Sequence, residues 1–540
     1  MTTTLKPTSG VTTAKPSAAT DRPGRALSEL DETQRYAAYD RLQQSMPDVW
    51  AAMRQDHDDE SVVVVPSISL EHSTNTPGTL AQAMEERALF LLLLLRQPRL
   101  RMIYVTSMPV PESIIEYYLG LLPGVIISHA LARLTMISVG DGAPGPLSGK
   151  LLARPRLLRQ IRSLIPNPAR SHLIPYNTTG LERDVALSLG IPMYGADPRL
   201  ADLGTKTGCR RMFTELGVRC PVGADDLHSV DDLVGAIQDM RGRRPDITEA
   251  IVKLNEGVSG SGNALVDLRD LPPTGSDGEP EEIRRRVLEL ACENPKIDIE
   301  TYLSAFAADG GIVEERITGA RLTSPSVQMR ALTDGSVELL STHDQLLGGA
   351  SGQRYLGCIF PADPGYARMI ADQAMVIGRH LAGLGVIGRF AVDFVTVQDD
   401  AGEWTPYAIE LNLRKGGTTH PFLTLQFLTD GRYDGERGVF ETPSGATKCL
   451  VATDHLEDDR LKALGINDLF DIVARHHLHY DASRQSGVVF HMFSCLTEYG
   501  RLGLTAVGDT AEDAWRIYQA AQAALLEDAG QAMAEGPIVG

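Results

Sequence analysis

Two carboxylates, an amide and a run of cations crowd into residues 388–423, GRFAVDFVTVQDDAGEWTPYAIELNLRKGGTTHPFL. Residues 390–397 and 407–411 are rich in strand formers, and the DDAGE segment between them is a turn signal. A turn centred on Ala401 and Gly402 predicts cross-strand partners whose numbers sum to 803. That register sets Asp393 opposite Glu410, with Asn412 two residues on along the same face. Facing carboxylates repel, so a cation between them is the natural explanation. With the amide oxygen the set is all oxygen, as a hard ion such as Mg²⁺ requires. The alternative is an edge hairpin with a solvated polar face.

The elements around this hairpin decide between the two. Residues 205–216 read as a helix with Met212, Phe213 and Leu216 on its apolar face and Gly217 as its cap. Lys206 stands in the first turn, where the helix dipole favours anions, so the lysine and the free N–H groups there suit a phosphate. An ordinary surface lysine is the other reading. Residues 250–254 read as a strand on which Lys253 stands alone among apolar residues, followed by the loop NEGVSGSGN at 255–263. A strand lysine and a loop of exposed N–H groups could hold triphosphate oxygens, although neither GKS/T nor GxGxxG spacing is present. A Gly/Ser hairpin turn looks much the same. Residues 312–317 (IVEERI) read as a strand passing into a linker, a place for backbone contacts to adenine.

Before these elements, 62–66 and 102–107 are short apolar runs of the kind found in buried parallel strands, with helical patterns at 79–95 and 111–122. Ser67, Thr106 and Ser107 close the strands, as ligand contacts or as helix caps. Asn177, Thr178 and Thr179 open a helix that Gly190 ends. After residue 440, 473–480, 487–493 and 504–507 read as strands and 510–526 as a helix. His476, His477 and His479 fall in the first of these strands without zinc-ligand spacing.

The expected domains are a disordered tail at 1–28, an N-terminal α/β domain at 29–195, a nucleotide-binding section at 196–440 and a small α+β module at 441–540. A net charge of −19 argues against nucleic acid or an anionic membrane as partner. Six scattered cysteines without CxxC spacing read as reduced thiols. The tail lacks a signal-peptide core, and the apolar run 88–95 is too short to span a bilayer, so a soluble cytoplasmic protein is expected.

A helix lysine, a strand lysine with a glycine loop, V-E-E-x-I and then D…E-x-N on a hairpin, in that order, resemble the ATP-grasp superfamily. ELNLRKGGTTHPFL is similar to the metal-and-substrate segment of D-alanine–D-alanine ligases. YVTSMPVPESIIEYYLGLLPG (104–124), LLARPRLLRQIR (151–162), GTKTGCRRMF (204–213), STHDQLLGGASGQ (341–353) and NLRKGGTTHP (412–421) are similar to the pheganomycin-type peptide ligases. The resemblance covers most of residues 60–540.

It implies an α/β fold, α+β in the lid. The 29–195 domain becomes a pre-ATP-grasp domain, and 196–440 divides into a lid near 200–318 and a core near 319–440. The implied activity is ATP-dependent carboxylate–amine ligation through an acyl-phosphate, releasing ADP and phosphate, in peptide natural-product or amino-acid-conjugate biosynthesis. Lys206 and Lys253 would neutralise phosphates, and Glu256, Gly257, Ser259, Gly260 and Gly262 would cover them. Glu314, Glu315 and Ile317 would meet the adenine. Asp393, Glu410 and Asn412 would hold two Mg²⁺ ions. Arg389 and Arg414 are candidates for the transferring phosphoryl group and the acyl-phosphate, and Arg330 for another phosphate contact. Lys415, also a catalytic candidate, would line the acceptor side with Thr418, Thr419 and His420. The partners implied are a small-molecule carboxylate and amine, with a homodimer as the superfamily's suggestion. One departure stands out. The acid that many relatives place about seven residues after the hinge glutamate falls here on Arg321 or Leu322. A non-catalytic ATP sensor or scaffold and an ATP-grasp phosphotransferase are the rival functions.

Overall fold

The computed structural model describes residues 26–53, 59–69, 78–122, 124–256, 262–348 and 354–535. Strands β1 (Ser61–Val65), β2 (Arg101–Thr106), β3 (Leu134–Ser138) and β4 (Ser171–Pro175) form a parallel sheet in the order β3-β2-β1-β4. The unbroken valine run of β1 serves two cores: Val62 and Val64 face one, Val63 and Val65 the other. Thr179 caps the helix Gly180–Leu189 through a capping box with Glu182, and Gly190 closes it at φ 72°.

The single helix expected at 79–95 is two elements. An α-helix, Gly78–Glu86, gives way to a 3-10 helix, Leu89–Arg96. Glu85 and Glu86 hold the break in place, because their carboxylates accept from the Ser107 and Ser494 backbones and cannot face solvent. The leucines that follow are buried on nearly every side. The strand-end hydroxyls serve the fold. Ser67 Oγ accepts from Ser148 N at the start of the next helix, and Ser107 binds Glu85.

A second, antiparallel sheet is built from β5 (Gly223–Leu227), β6 (Glu249–Leu254), β7 (Asn263–Asp267), β8 (Ala291–Cys292) and β9 (Gly311–Glu315), in the order β5-β9-β6-β7-β8. The third contains β10 (Arg321–Thr323), β11 (Pro325–Ala331), β12 (Val337–Gly348), β13 (Arg354–Phe360), β14 (Gly388–Gln398) and β15 (Trp404–Asn412). After a small hairpin of β16 (Arg432–Asp434) and β17 (Val439–Glu441), it continues through β18 (Cys449–Glu457), β19 (Gly487–His491) and β20 (Arg501–Gly508). β18 pairs antiparallel with β13, so the sheet runs unbroken past residue 440. The helix Pro364–Gly383 lies against β11 and β12 and presents Ile370, Ala374, Ile377 and Leu381, a three-to-four spacing that makes one apolar stripe.

The strand expected at 473–480 is not one. Residues up to Arg475 end the helix Ile466–Arg475, whose Leu469, Ile472 and Val473 are buried at helical spacing. His476 and His477 fall in the turn after it, where His477 takes φ 53°, and His479 makes an isolated bridge to Val488. No helix among the described residues is long and apolar enough to cross a membrane.

Candidate active site

β14 and β15 carry the carboxylates, and their register has two parts. From Ala391↔Asn412 to Asp393↔Glu410 the partner numbers sum to 803; from Phe394↔Ala408 to Gln398↔Trp404 they sum to 802. The turn closes one residue tighter than predicted, with Asp399 N donating to Glu403 O and Gly402 at φ 87°. A bulge at Ile409 then restores the lost residue. The two shifts cancel at the pair that matters. Asp393 faces Glu410, and Asn412 Nδ2 donates to Asp393 Oδ2 at 2.9 Å.

Cations stand close by. Lys206 Nζ lies 2.7 Å from Glu410 Oε1. Its helix, Lys206–Glu215, is fixed on β15 by Leu411 N donating to the buried Cys209 sulfur, and is capped by Thr205. The N–H groups expected to be free for a phosphate are taken. Lys206 N donates to Asn255 O, Thr207 N to Asn255 Oδ1 and Gly208 N to Thr205 Oγ1. The Lys206 side chain reaches Glu410 instead. Lys253, in β6, makes a buried ion pair with Glu314 of β9, and Arg210 stands 3.8 Å from the same carboxylate.

These charges bias one another. Burial, then the Glu410 charge, push Asp393 up to about 6. Burial opposes the charge of Glu410, but Lys206 and Arg414 outweigh it and hold the carboxyl below its ordinary range. Lys206 is likewise held above its ordinary range, because Glu410 wins over burial. Two half-buried acids, one of them reluctant to ionise, with the amide of Asn412, form a donor set that fits Mg²⁺. The Lys206 ammonium supplies part of the missing positive charge.

Other expected residues have other surroundings. Ile317 lies where the chain leaves β9, but Glu315 N and Arg316 N are already paired to Val222 O and Glu249 O. The side chain of Glu315 accepts from Val222 N and pairs with Arg244 at 3.0 Å. At the ribose position Leu322 lines the cavity, while Arg321 lies over Trp404 and reaches Asp363. Glu256 and Gly262 flank the glycine loop; Gly257, Ser259 and Gly260 lie outside the described residues, as do 349–353. Arg330 is cross-strand to Arg389, pairs with Glu338 and lies over Trp50, and neither arginine lines the cavity. Lys415 Nζ donates to Pro175 O at the end of β4, and burial beside Arg389 pushes it down to about 7.

Thr418 and Thr419 are buried and held by Gln328 of β11, which donates to one hydroxyl and accepts from the other. His420 faces away into a buried cluster. Its Nε2 lies 3.0 Å from His491 Nε2 and 3.3 Å from Asp454 Oδ1, and His491 lies 2.8 Å from the same oxygen. These are the sole three groups at metal-ligand spacing found among the described residues. Arg87 stands beside Asp454 and compensates its charge. Sequence reasoning missed Ser326, opposite Asp393, and Gln328, because nothing local marks β11 as the neighbour of β14.

A cavity of about 800 Å³ joins these parts. At one end lie Ile317, Leu322 and Glu314; in the middle Lys206, Lys253, Asp393, Glu410, Asn412, Arg414 and Gly416–Thr418; at the other end Met84, Arg87 and Asp454. The two antiparallel sheets thus close on one polar centre, with a hairpin of acids between two lysines. The IQCH-like ATP-grasp family matches residues 198–285 and 287–436, the span of both sheets' site-bearing strands. That stretch of the chain is similar to the ATP-grasp family. A second family model, the PGM1 C-terminal domain, matches residues 468–521.

Among curated proteins it is similar to the L-propargylglycine–L-glutamate ligase of Streptantibioticus cattleyicolor, 29% identical over 447 residues, covering 82% of this chain and 89% of that protein. It is also similar to IQ motif-containing protein H of Danio rerio, 24% identical over 468 residues, 78% of this chain but 44% of that protein. Two solved structures share the fold at a TM-score of 0.50. One is biotin carboxylase of Campylobacter jejuni with β,γ-ATP, 12% identical, covering 87% of this chain and 95% of that one. The other is the biotin carboxylase domain of the Hydrogenobacter thermophilus 2-oxoglutarate carboxylase with MgADP and bicarbonate, 13% identical, covering 86% and 89%.

Proposed function

We propose that this protein is an ATP-dependent carboxylate–amine ligase that joins an amino-acid carboxylate to the amine of an amino acid or peptide. The observation that carries the reading is the facing pair Asp393–Glu410, ringed by Asn412, Lys206 and Lys253, inside a cavity that continues well beyond the space of a nucleotide's phosphates. A degenerate scaffold has no need to keep two half-buried acids beside two buried lysines, since each poorly solvated charge is costly. The printed activity of the L-propargylglycine–L-glutamate ligase supports the same class.

In this reading ATP lies between the two sheets with its base toward Ile317 and its phosphates toward Lys206 and Lys253. Asp393, Glu410 and Asn412 would hold Mg²⁺, which when bound neutralises and orients the phosphate oxygens. One carboxylate oxygen of the donor attacks the γ-phosphorus, the bond to the β-phosphate oxygen breaks, and ADP leaves. The amine then attacks the acyl carbon and expels phosphate, losing its proton as the amide forms. Arg414 and the backbone of Gly416 and Gly417 line the cavity where the acyl-phosphate would form, and Gln328 keeps that loop fixed through Thr418 and Thr419. Lys206 and Lys253 would neutralise the phosphates beside the mixed anhydride.

The test is nucleotide release with Mg²⁺ and paired substrates, starting from L-propargylglycine with L-glutamate, beside Glu410→Gln. ADP and phosphate that require both partners, falling at least ~100-fold in the variant, support ligation. AMP with pyrophosphate, or tight ATP binding without turnover on any pair, would overturn it.

A further inference from the structure

The far end of the cavity holds a guanidinium with too few partners. Arg87 follows the helix Gly78–Glu86, is 8% exposed and lines the cavity. A guanidinium offers five N–H donors in a planar fork. Here Nη1 meets the Met84 sulfur at 3.3 Å, a weak acceptor, and the buried Nε has no acceptor. Asp454 Oδ2 stands 3.4 Å from that Nε, close enough for charge but not for a hydrogen bond. Tyr176 is its remaining side-chain hydrogen-bonding neighbour.

Asp454 balances the charge of Arg87 through Oδ2 without filling its donors. Its other oxygen is engaged by His491 at 2.8 Å and lies near His420. Arg501, the other arginine at this end, is already spent on the Asp454 backbone oxygen and on His455. A buried guanidinium whose fork is unfilled on the cavity side fits a planar oxyanion with two acceptors. Next to it the cavity wall is apolar: Ile68, Leu80, Met84 and Leu147. A carboxylate and an apolar side chain on neighbouring atoms describe an α-amino acid.

We propose that Arg87 binds the α-carboxylate of an apolar amino-acid substrate, the one that supplies the amine. Resting on the ligase reading, this gives the two substrates distinct ends of the cavity. The donor carboxylate lies at Arg414 and the glycine loop, and the amine donor is anchored by its own carboxylate at Arg87. That anchoring keeps the amine substrate's carboxyl away from the phosphates and so decides which carboxyl is activated.

The test swaps an atom on the ligand before it touches the protein. Calorimetric binding with Mg·ADP present is measured for L-propargylglycine, L-leucine and L-methionine against their α-carboxamides, and for L-glutamate as a polar control. The wild type is expected to bind the apolar acids at least ~30-fold more tightly than the amides. Arg87→Gln should bring acid and amide within about twofold, and Arg87→Lys should restore part of the difference, because charge returns without the fork. Equal binding of acid and amide by the wild type would overturn the inference, and that comparison needs no variant to fold. So would discrimination retained in Arg87→Gln, or no acid of the panel bound at all. Discrimination that depends on Arg87 while no pair supports ATP cleavage would stand for the inference and count against the ligase reading.

Discussion

Lys206 and Lys253 are the same residue type with different duties. Lys206 neutralises an acid of the proposed metal set, so Lys206→Ala should raise the KM for ATP at least tenfold with little change in melting temperature. Lys253 neutralises a buried acid of the lid, so Lys253→Ala should lose stability as well, by about 3 kcal/mol, because Glu314 then keeps only Arg210 at 3.8 Å. Thermal or urea unfolding of both variants beside ATP kinetics checks the split. Glu86 gives a pH prediction of opposite sign to the usual carboxylate. Burial pushes it up from 4.5 to about 7, so its charged form is disfavoured in the fold. Its contribution is intact below the unfolded value and is lost as pH rises between 4.5 and about 7, up to about 3 kcal/mol in all. Unfolding of Glu86→Gln beside wild type should show the variant gaining relative stability from pH 5 to pH 8. A constant difference would contradict it.

At the scale of elements, the loop after Asn412 depends on close approach. A Cβ on Gly417 would lie 2.6 Å from the Tyr355 ring, so Gly417→Ala must displace the ring or the loop. The expected result is a loss of about 1–3 kcal/mol and a drop in kcat larger than any change in ATP affinity. Equal activity would mean that the loop tolerates movement. This hairpin and loop were the most legible part of the sequence, since β-branched runs, a DDAGE turn and paired acids are local signals. The bulge at Ile409 was not legible, and the register came out right at Asp393 only because the tighter turn offset it. The helix carrying Lys206 was readable from its apolar spacing and its glycine cap. The capture of its N–H groups by Asn255 was not, because that contact spans 48 residues.

For the whole molecule, the long sheet makes residues after 440 part of the same structure. β18 covers the edge of β13, and Tyr118 and Tyr117 of the first section bond to Phe490. Removing residues 441–540 should therefore leave a chain without cooperative unfolding, because it exposes a strand edge and the apolar face of β13. Circular dichroism melts would show it, and a truncated protein that melts as sharply as the full chain would contradict the account. The parallel first sheet was legible from its buried valine run and the helices between. The far cavity wall was not, because Arg87 comes from a segment hundreds of residues before Asp454 and Arg501. The amphipathic helix ending at Arg475 was misread as a strand where its short turn of histidines mimics alternation.

The central claim is that the carboxylate is activated by transfer of the γ-phosphoryl group, and an oxygen label tests it most directly. With the donor's carboxyl groups labelled with ¹⁸O, one labelled oxygen should pass to the released phosphate with each amide formed, and none to the nucleotide. Label found in AMP, or phosphate released without label while amide accumulates, would contradict the account.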